Sequence, residues 1–114
     1  MVIQLGHQIL SDQLPGLFTG SEKIFRDFIY IDDIVDANIL CTSSSSPGIY
    51  NIGTGASKSF QKVLDYLQDH LGKSEVNYFD NPYNEGYQFH TSAEVEKTYN
   101  ELGFKAKVDL KDGI

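Results

Sequence analysis

Residues Lys23 to Ile31 constrain this chain more than any other stretch, because they set two opposite charges inside an apolar run that alternates with period two. Ile24, Arg26, Phe28 and Tyr30 fall on one face of an extended segment, and Phe25, Asp27, Ile29 and Ile31 on the other. The pattern predicts a strand buried on both sides. Asp32 and Asp33 then end it and offer N-cap carboxylates to a helix whose Ile34, Ala37, Leu40 and Cys41 recur at helical spacing. An unpaired charge within such a run is costly, so Arg26 and Asp27 both require partners. In one arrangement a mutual or local ion pair fixes the strand end. In the other, Arg26 reaches out of the sheet to an anionic ligand, since a guanidinium grips phosphate through two parallel hydrogen bonds.

The flanking sequence alternates helix and strand. Val2, Leu5 and Ile9 mark an amphipathic helix over residues 1 to 11, with His7 among them and no capping residue in front. Leu14-Pro15-Gly16 is a turn, and Leu17 to Thr19 a short apolar piece closed by Gly20, which serves either a bend or a close backbone approach to a ligand. Ile49 to Ile52 reads as a short strand ended by Gly53-Thr54-Gly55. Ser57 or Ser59 caps a helix with the stripe Phe60, Val63, Leu64, Leu67 and Leu71, read as core and stopped by Gly72. Val76 to Phe79 is a further strand. The polar, aromatic loop from Asp80 to Tyr87 follows, of the kind that carries binding groups. Thr91 and Glu94 are spaced as a capping box for a helix with Val95, Tyr99 and Leu102 on one face and Gly103 as its stop. A last helix begins near Leu110.

This order implies parallel pairing and an α/β architecture. Three strands with helices cut short at both ends would leave open edges, so the expectation is a piece of a larger domain. No apolar run approaches the roughly 20 residues of a membrane span, and the N-terminus lacks the features of a signal peptide. A soluble chain follows, and the lone Cys41, read as a buried thiol, favours a reducing, cytoplasmic setting. A formal net charge of −7 argues against nucleic acid. A phosphate-bearing small ligand would need a local basic pocket, for which Arg26, Lys23, Lys58 and His7 are the candidates. His7, His70 and His90 are scattered, so no metal site is expected. The Gly53-Thr54-Gly55 run lacks the third glycine of a dinucleotide fingerprint and the Lys-Ser/Thr ending of a phosphate loop.

Gly20-Ser21-Glu22, then Arg26-Asp27-Phe28-Ile29-Tyr30-Ile31-Asp32-Asp33, then Tyr50-Asn51-Ile52-Gly53-Thr54-Gly55 resembles the C-terminal half of the extended short-chain dehydrogenase/reductases that act on nucleotide sugars. The Phe18 to Glu22 opening and the Tyr87-Gln88-Phe89-His90-Thr91 segment are similar to the ADP-L-glycero-D-manno-heptose 6-epimerases of lipopolysaccharide heptose synthesis. The resemblance implies an α/β, Rossmann-type fold truncated at both ends, with residues 1–114 as its substrate-binding C-terminal part. It further implies NADP held by an N-terminal domain lying outside this chain, an ADP-sugar substrate and a homo-oligomeric parent protein. The chemistry implied is oxidation at C6 and return of hydride to the opposite face of the ketone. By the same likeness His7, Phe18, Thr19, Gly20, Ser21, Arg26 and Tyr87 contact the substrate, Arg26 first among them.

The family's catalytic Tyr-x-x-x-Lys is absent, as is its glycine-rich cofactor loop, and its catalytic lysine would lie upstream of Met1. Without a proton-transfer pair and a hydride carrier there is no route to epimerisation, so these residues alone are expected to be inactive within an active parent. Another nucleotide-sugar epimerase or dehydratase is the first alternative. A non-enzymatic fragment that binds a nucleotide or a protein partner is the second.

Overall fold

A computed structural model describes residues 1–83 and 85–114. In chain order its elements are α1 (Val2–Leu10), β1 (Gly16–Phe18), β2 (Phe25–Arg26), α2 (Ile31–Ser43), β3 (Lys58–Ser59), α3 (Phe60–Leu71), β4 (Asn77–Phe79), α4 (Glu96–Leu102) and α5 (Leu110–Gly113), with a 3-10 turn at Ser21–Lys23. The α/β character is as expected. The chain divides into two compact units, one made of Met1–Arg26, Lys58–His90 and Ile114, the other of Asp27–Ser57 and Thr91–Gly113.

In the first unit α1 packs on α3, where Gly6 faces the side chains of Leu67 and Leu71. Leu5, Leu17, Ile24, Val63, Leu64 and Leu67 are buried here, as the periodicity of α1 and α3 requires. Ser59 caps α3 by accepting from the Lys62 N–H at 3.1 Å, and Gly72 ends the helix at φ +102°. Strand β1 runs parallel to β4, with Leu17 opposite Tyr78, whereas β2 runs antiparallel to β3, with Arg26 opposite Lys58. The uniformly parallel pairing expected from element order is therefore corrected: β3 runs antiparallel to β2, and the next residue, Phe60, opens α3.

The second unit is organised around two carboxylates. Asp27 accepts the N–H groups of Thr54 and Gly55, both at 2.9 Å, and of Ala93 at 3.0 Å, together with the Thr54 hydroxyl. Buried Asp33 accepts from Lys107 N at 3.1 Å and Val108 N at 3.0 Å. These bonds explain several departures from the sequence reading. The expected strand over Lys23–Ile31 is reduced to Phe25–Arg26, because from Asp27 onward the neighbouring backbone is bound by a side chain rather than by a strand ladder. Helix α2 starts at Ile31 without a side-chain cap, and Asp33 anchors residues 107–108 instead of capping. The buried line of α2 runs through Asp33 and Ala37, so Leu40 is exposed at 37%, and Cys41 is exposed rather than buried.

Residues 49–52 form no strand, since Lys97 Nζ donates to the Ile49 carbonyl at 3.0 Å and the Thr98 hydroxyl to that of Asn51 at 2.7 Å. The capping box is not formed either. Helix α4 begins at Glu96 with Val95 as its cap, and the Thr91 carbonyl accepts from the Ser57 hydroxyl at 2.7 Å. Tyr99 is exposed, whereas Thr98 is the buried residue of α4. Among the described residues no helix is long and apolar enough to cross a membrane, and no three His, Cys, Asp or Glu side chains gather as a metal site requires.

Candidate functional site

Of the seven residues singled out as substrate contacts, all lie in the first unit. Phe18 ends β1, and the next residue, Thr19, donates its N–H to the Phe79 carbonyl at 2.8 Å. Gly20 then turns the chain at φ +81°, a left-handed conformation that disfavours any side chain. A Cβ there would meet nothing within 4 Å, so backbone twist rather than a close neighbour accounts for the glycine. Ser21 is fully buried, and its hydroxyl donates to Gln61 Oε1 at 3.0 Å. The same oxygen accepts from the Tyr78 hydroxyl at 2.8 Å, while Gln61 Nε2 donates to Asp65 Oδ1 at 3.1 Å. Helix α3 thus holds the Thr19–Ser21 turn through one amide.

The rings beside this turn form a chain. Phe18 meets Phe79 edge to face with centroids 5.1 Å apart, and Tyr87 with centroids 5.9 Å apart. Tyr87 meets Phe89 in the same manner at 5.5 Å. Edge-to-face contacts of this kind fix ring orientation and leave ring faces available for stacking. The segment after Gly86 is drawn in by its backbone: Phe25 N donates to the Phe89 carbonyl at 2.7 Å. In the loop before it, the Asn81 Oδ1 accepts from Tyr83 N at 2.9 Å. Asn84 of that loop lies outside the described residues.

Arg26 joins the ring chain. Its guanidinium carbon lies 5.5 Å from the Tyr87 centroid and 5.4 Å from that of Phe60, and Nη1 donates to the Phe25 carbonyl at 2.7 Å. Of the two arrangements open to Arg26, the mutual or local ion pair is not formed: among the described residues the guanidinium makes no ion pair. In a chain of formal net charge −7, its charge is matched by no carboxylate bond among the described residues. The structure therefore brings together Phe18, Thr19, Gly20, Arg26 and Tyr87, with Ser21 buried behind the turn. His7 is exposed on α1, and its ring makes no hydrogen bond or ion pair among the described residues. Aromatic faces beside an unpaired guanidinium suit a ligand that combines a flat ring with an anionic group.

Phe60, Phe79, Phe89 and Gln61 are the members that sequence reasoning missed. Phe60 and Gln61 follow Lys58, which pairs with Arg26, so their place beside the site depends on an antiparallel register that local periodicity does not reveal.

The glycine pair in the second unit does not fit a dinucleotide. The N–H groups of Thr54 and Gly55, which would face a phosphate, are already bound to the Asp27 carboxylate. Burial pushes the Asp27 pKa up, but the Thr54 hydroxyl and the N–H groups of Ala93, Thr54 and Gly55 outweigh it and hold the carboxyl below its ordinary 3.8. An internal anion occupies that loop.

No protein-family model matches the chain. Among solved structures it is similar to the ADP-L-glycero-D-manno-heptose-6-epimerase of Helicobacter pylori, at 33% identity and a TM-score of 0.89, over 99% of this chain and 34% of that one. It is also similar to the UDP-glucose 4-epimerase of Thermotoga maritima, solved with UDP-glucose, at 26% identity and a TM-score of 0.88, over 98% of this chain and 36% of that one. A third is the UDP-N-acetylglucosamine 4-epimerase of Methanobrevibacter ruminantium, in complex with UDP-N-acetylmuramic acid, at 26% identity and a TM-score of 0.86, over 99% of this chain and 37% of that one. The chain spans about a third of the length of these structures.

Proposed function

We propose that this chain, whose α/β fold is that of the extended short-chain dehydrogenase/reductase sugar epimerases, supplies the nucleotide-sugar site of an ADP-L-glycero-D-manno-heptose 6-epimerase. The observation that carries the reading is Arg26, charged, without an ion pair among the described residues and set between the rings of Tyr87 and Phe60, the first of which meets Phe18. In this reading the guanidinium takes the diphosphate, Phe18 and the Thr19–Gly20 turn line the nucleotide with ring and backbone, and Tyr87 closes from the late loop. Ser21 acts by holding the turn through Gln61, and His7 meets a polar part of the ligand from α1. A hydride carrier, NADP in the heptose enzymes, supplies oxidation and re-reduction when bound by a domain outside these residues. The residues present do not hold it, so no step of that chemistry is assigned to them. The parent protein is then an isomerase, homo-oligomeric and cytoplasmic, and the 114 residues alone bind without turning over.

A second reading, a UDP-sugar epimerase, is favoured by the similarity to the Thermotoga and Methanobrevibacter enzymes. The heptose reading has the higher identity and the Tyr87–Thr91 segment on its side. Competition between ADP-mannose and UDP-glucose, followed by amide chemical-shift changes at Thr19, Gly20 and Tyr87, separates the two. Tighter binding of the ADP-sugar is expected, and preference for the UDP-sugar would overturn the choice.

A further inference from the structure

We infer that Phe60 is a positioning residue for Arg26: its ring, with that of Tyr87, orients the guanidinium for a phosphate or diphosphate group. The inference rests on the reading of Arg26 as an anion-binding residue and adds a residue to it. By sequence Phe60 opens a core stripe, yet it differs from the buried members of that stripe. Val63, Leu64 and Leu67 are buried to 4% exposure or less, whereas Phe60 is only half-buried and meets the guanidinium carbon at 5.4 Å.

Its backbone position is fixed by hydrogen bonds and strand register. The Phe60 N–H donates to the Ile24 carbonyl at 2.9 Å, and the β2–β3 register, Phe25 opposite Ser59 and Arg26 opposite Lys58, brings the first turn of α3 alongside Arg26. The backbone from which the ring springs is therefore held beside Arg26.

The choice of a ring over a carboxylate has a chemical consequence. A carboxylate partner would hold the arginine in place but would neutralise it and occupy its paired N–H donors. A ring face attracts the cation through its quadrupole and consumes no donor. With one N–H directed to the Phe25 carbonyl, four of the five guanidinium N–H hydrogens carry no bond among the described residues. The group is held in one orientation with its charge and most of its donors kept for a ligand, which is pre-organisation of the kind that raises affinity by reducing the ordering cost of binding.

The test uses inorganic pyrophosphate as the probe, the full chain, and the variants Phe60→Leu, Phe60→Tyr and Arg26→Gln. The Arg26 Nε–Hε resonance reports ring contact independently of binding, because aromatic ring currents displace it. In the wild-type chain that resonance is expected well away from its random-coil position. Phe60→Leu should return it toward random coil and weaken pyrophosphate about three- to tenfold, the range set by a partly exposed cation–π contact. Phe60→Tyr should preserve both. An Hε resonance at its random-coil position in the wild type overturns the inference without any variant. Equal losses in the Leu and Tyr variants also overturn it, since packing rather than the ring face would then be at work. Binding abolished by Arg26→Gln but unchanged by Phe60→Leu overturns the role of Phe60 alone. Binding unchanged by Arg26→Gln overturns the anion-site reading beneath it.

Discussion

Replacing Asp27 with asparagine tests whether one carboxylate holds the second unit together. Its two oxygens divide the work: Oδ1 takes the Thr54 N–H and hydroxyl, and Oδ2 takes the N–H groups of Gly55 and Ala93. Asparagine keeps one acceptor oxygen and turns an NH₂ toward the other pair, so two N–H donors face it if it lies toward Gly55 and Ala93, and one does if it lies toward Thr54, whose hydroxyl can turn to accept. Hydrogen bonds to a charged group are worth roughly 1.5–3 kcal/mol each, and solvent access at exposed Gly55 reduces its share, giving a loss of about 2–4 kcal/mol. In a urea titration followed by circular dichroism, with a slope of about 2 kcal/mol per M, the midpoint should fall by about 1–2 M.

The pH dependence has a fixed sign. The folded Asp27 carboxyl lies below the ordinary 3.8, so the unfolded chain takes up its proton first as pH falls. Its stabilisation is present above about pH 4 and disappears as pH drops through the folded value. The gap between wild type and Asp27→Asn should therefore close in acid. A variant within about 0.5 kcal/mol of wild type at neutral pH, the usual range for a surface change, would refute the reasoning.

Other consequences can be checked with the same material. Gly53→Ala would set a Cβ 2.4 Å from that of Ala93 and 2.8 Å from Asp27 Oδ2, so it should destabilise by about 1–3 kcal/mol in denaturant titration. Ser59→Ala removes the cap on the Lys62 N–H and should cost about 1 kcal/mol, read as a lower melting temperature. The 114-residue chain given NADP and an ADP-heptose should show no epimer by proton NMR, because it lacks a Tyr-x-x-x-Lys pair.

Where burial followed local periodicity, the sequence was readable. The stripe of α3, the helix at residues 2–10, the strand near Tyr78 and the glycine stops at 72 and 103 are all present. What could not be read was how carboxylates and helix side chains would claim backbone groups from a distance. Asp27 and Asp33 bind loops up to 75 residues away in sequence, and Lys97 and Thr98 take the carbonyls that would have built a strand at 49–52. At the candidate site, Arg26, Phe18 and Tyr87 were recognised by residue type and resemblance. Phe60, which meets Arg26, was read as core, and Gln61, which holds Ser21, was not singled out, because their contact with the site depends on the β2–β3 register.

The measurement that bears most directly on the account is calorimetric titration of ADP into the wild-type chain and Arg26→Gln at low and high salt. The account predicts single-site binding to the wild type that weakens with salt, and a loss of tenfold or more in the variant, about 1.4 kcal/mol. Equal affinity of the two proteins for ADP, with the same salt dependence, would contradict it.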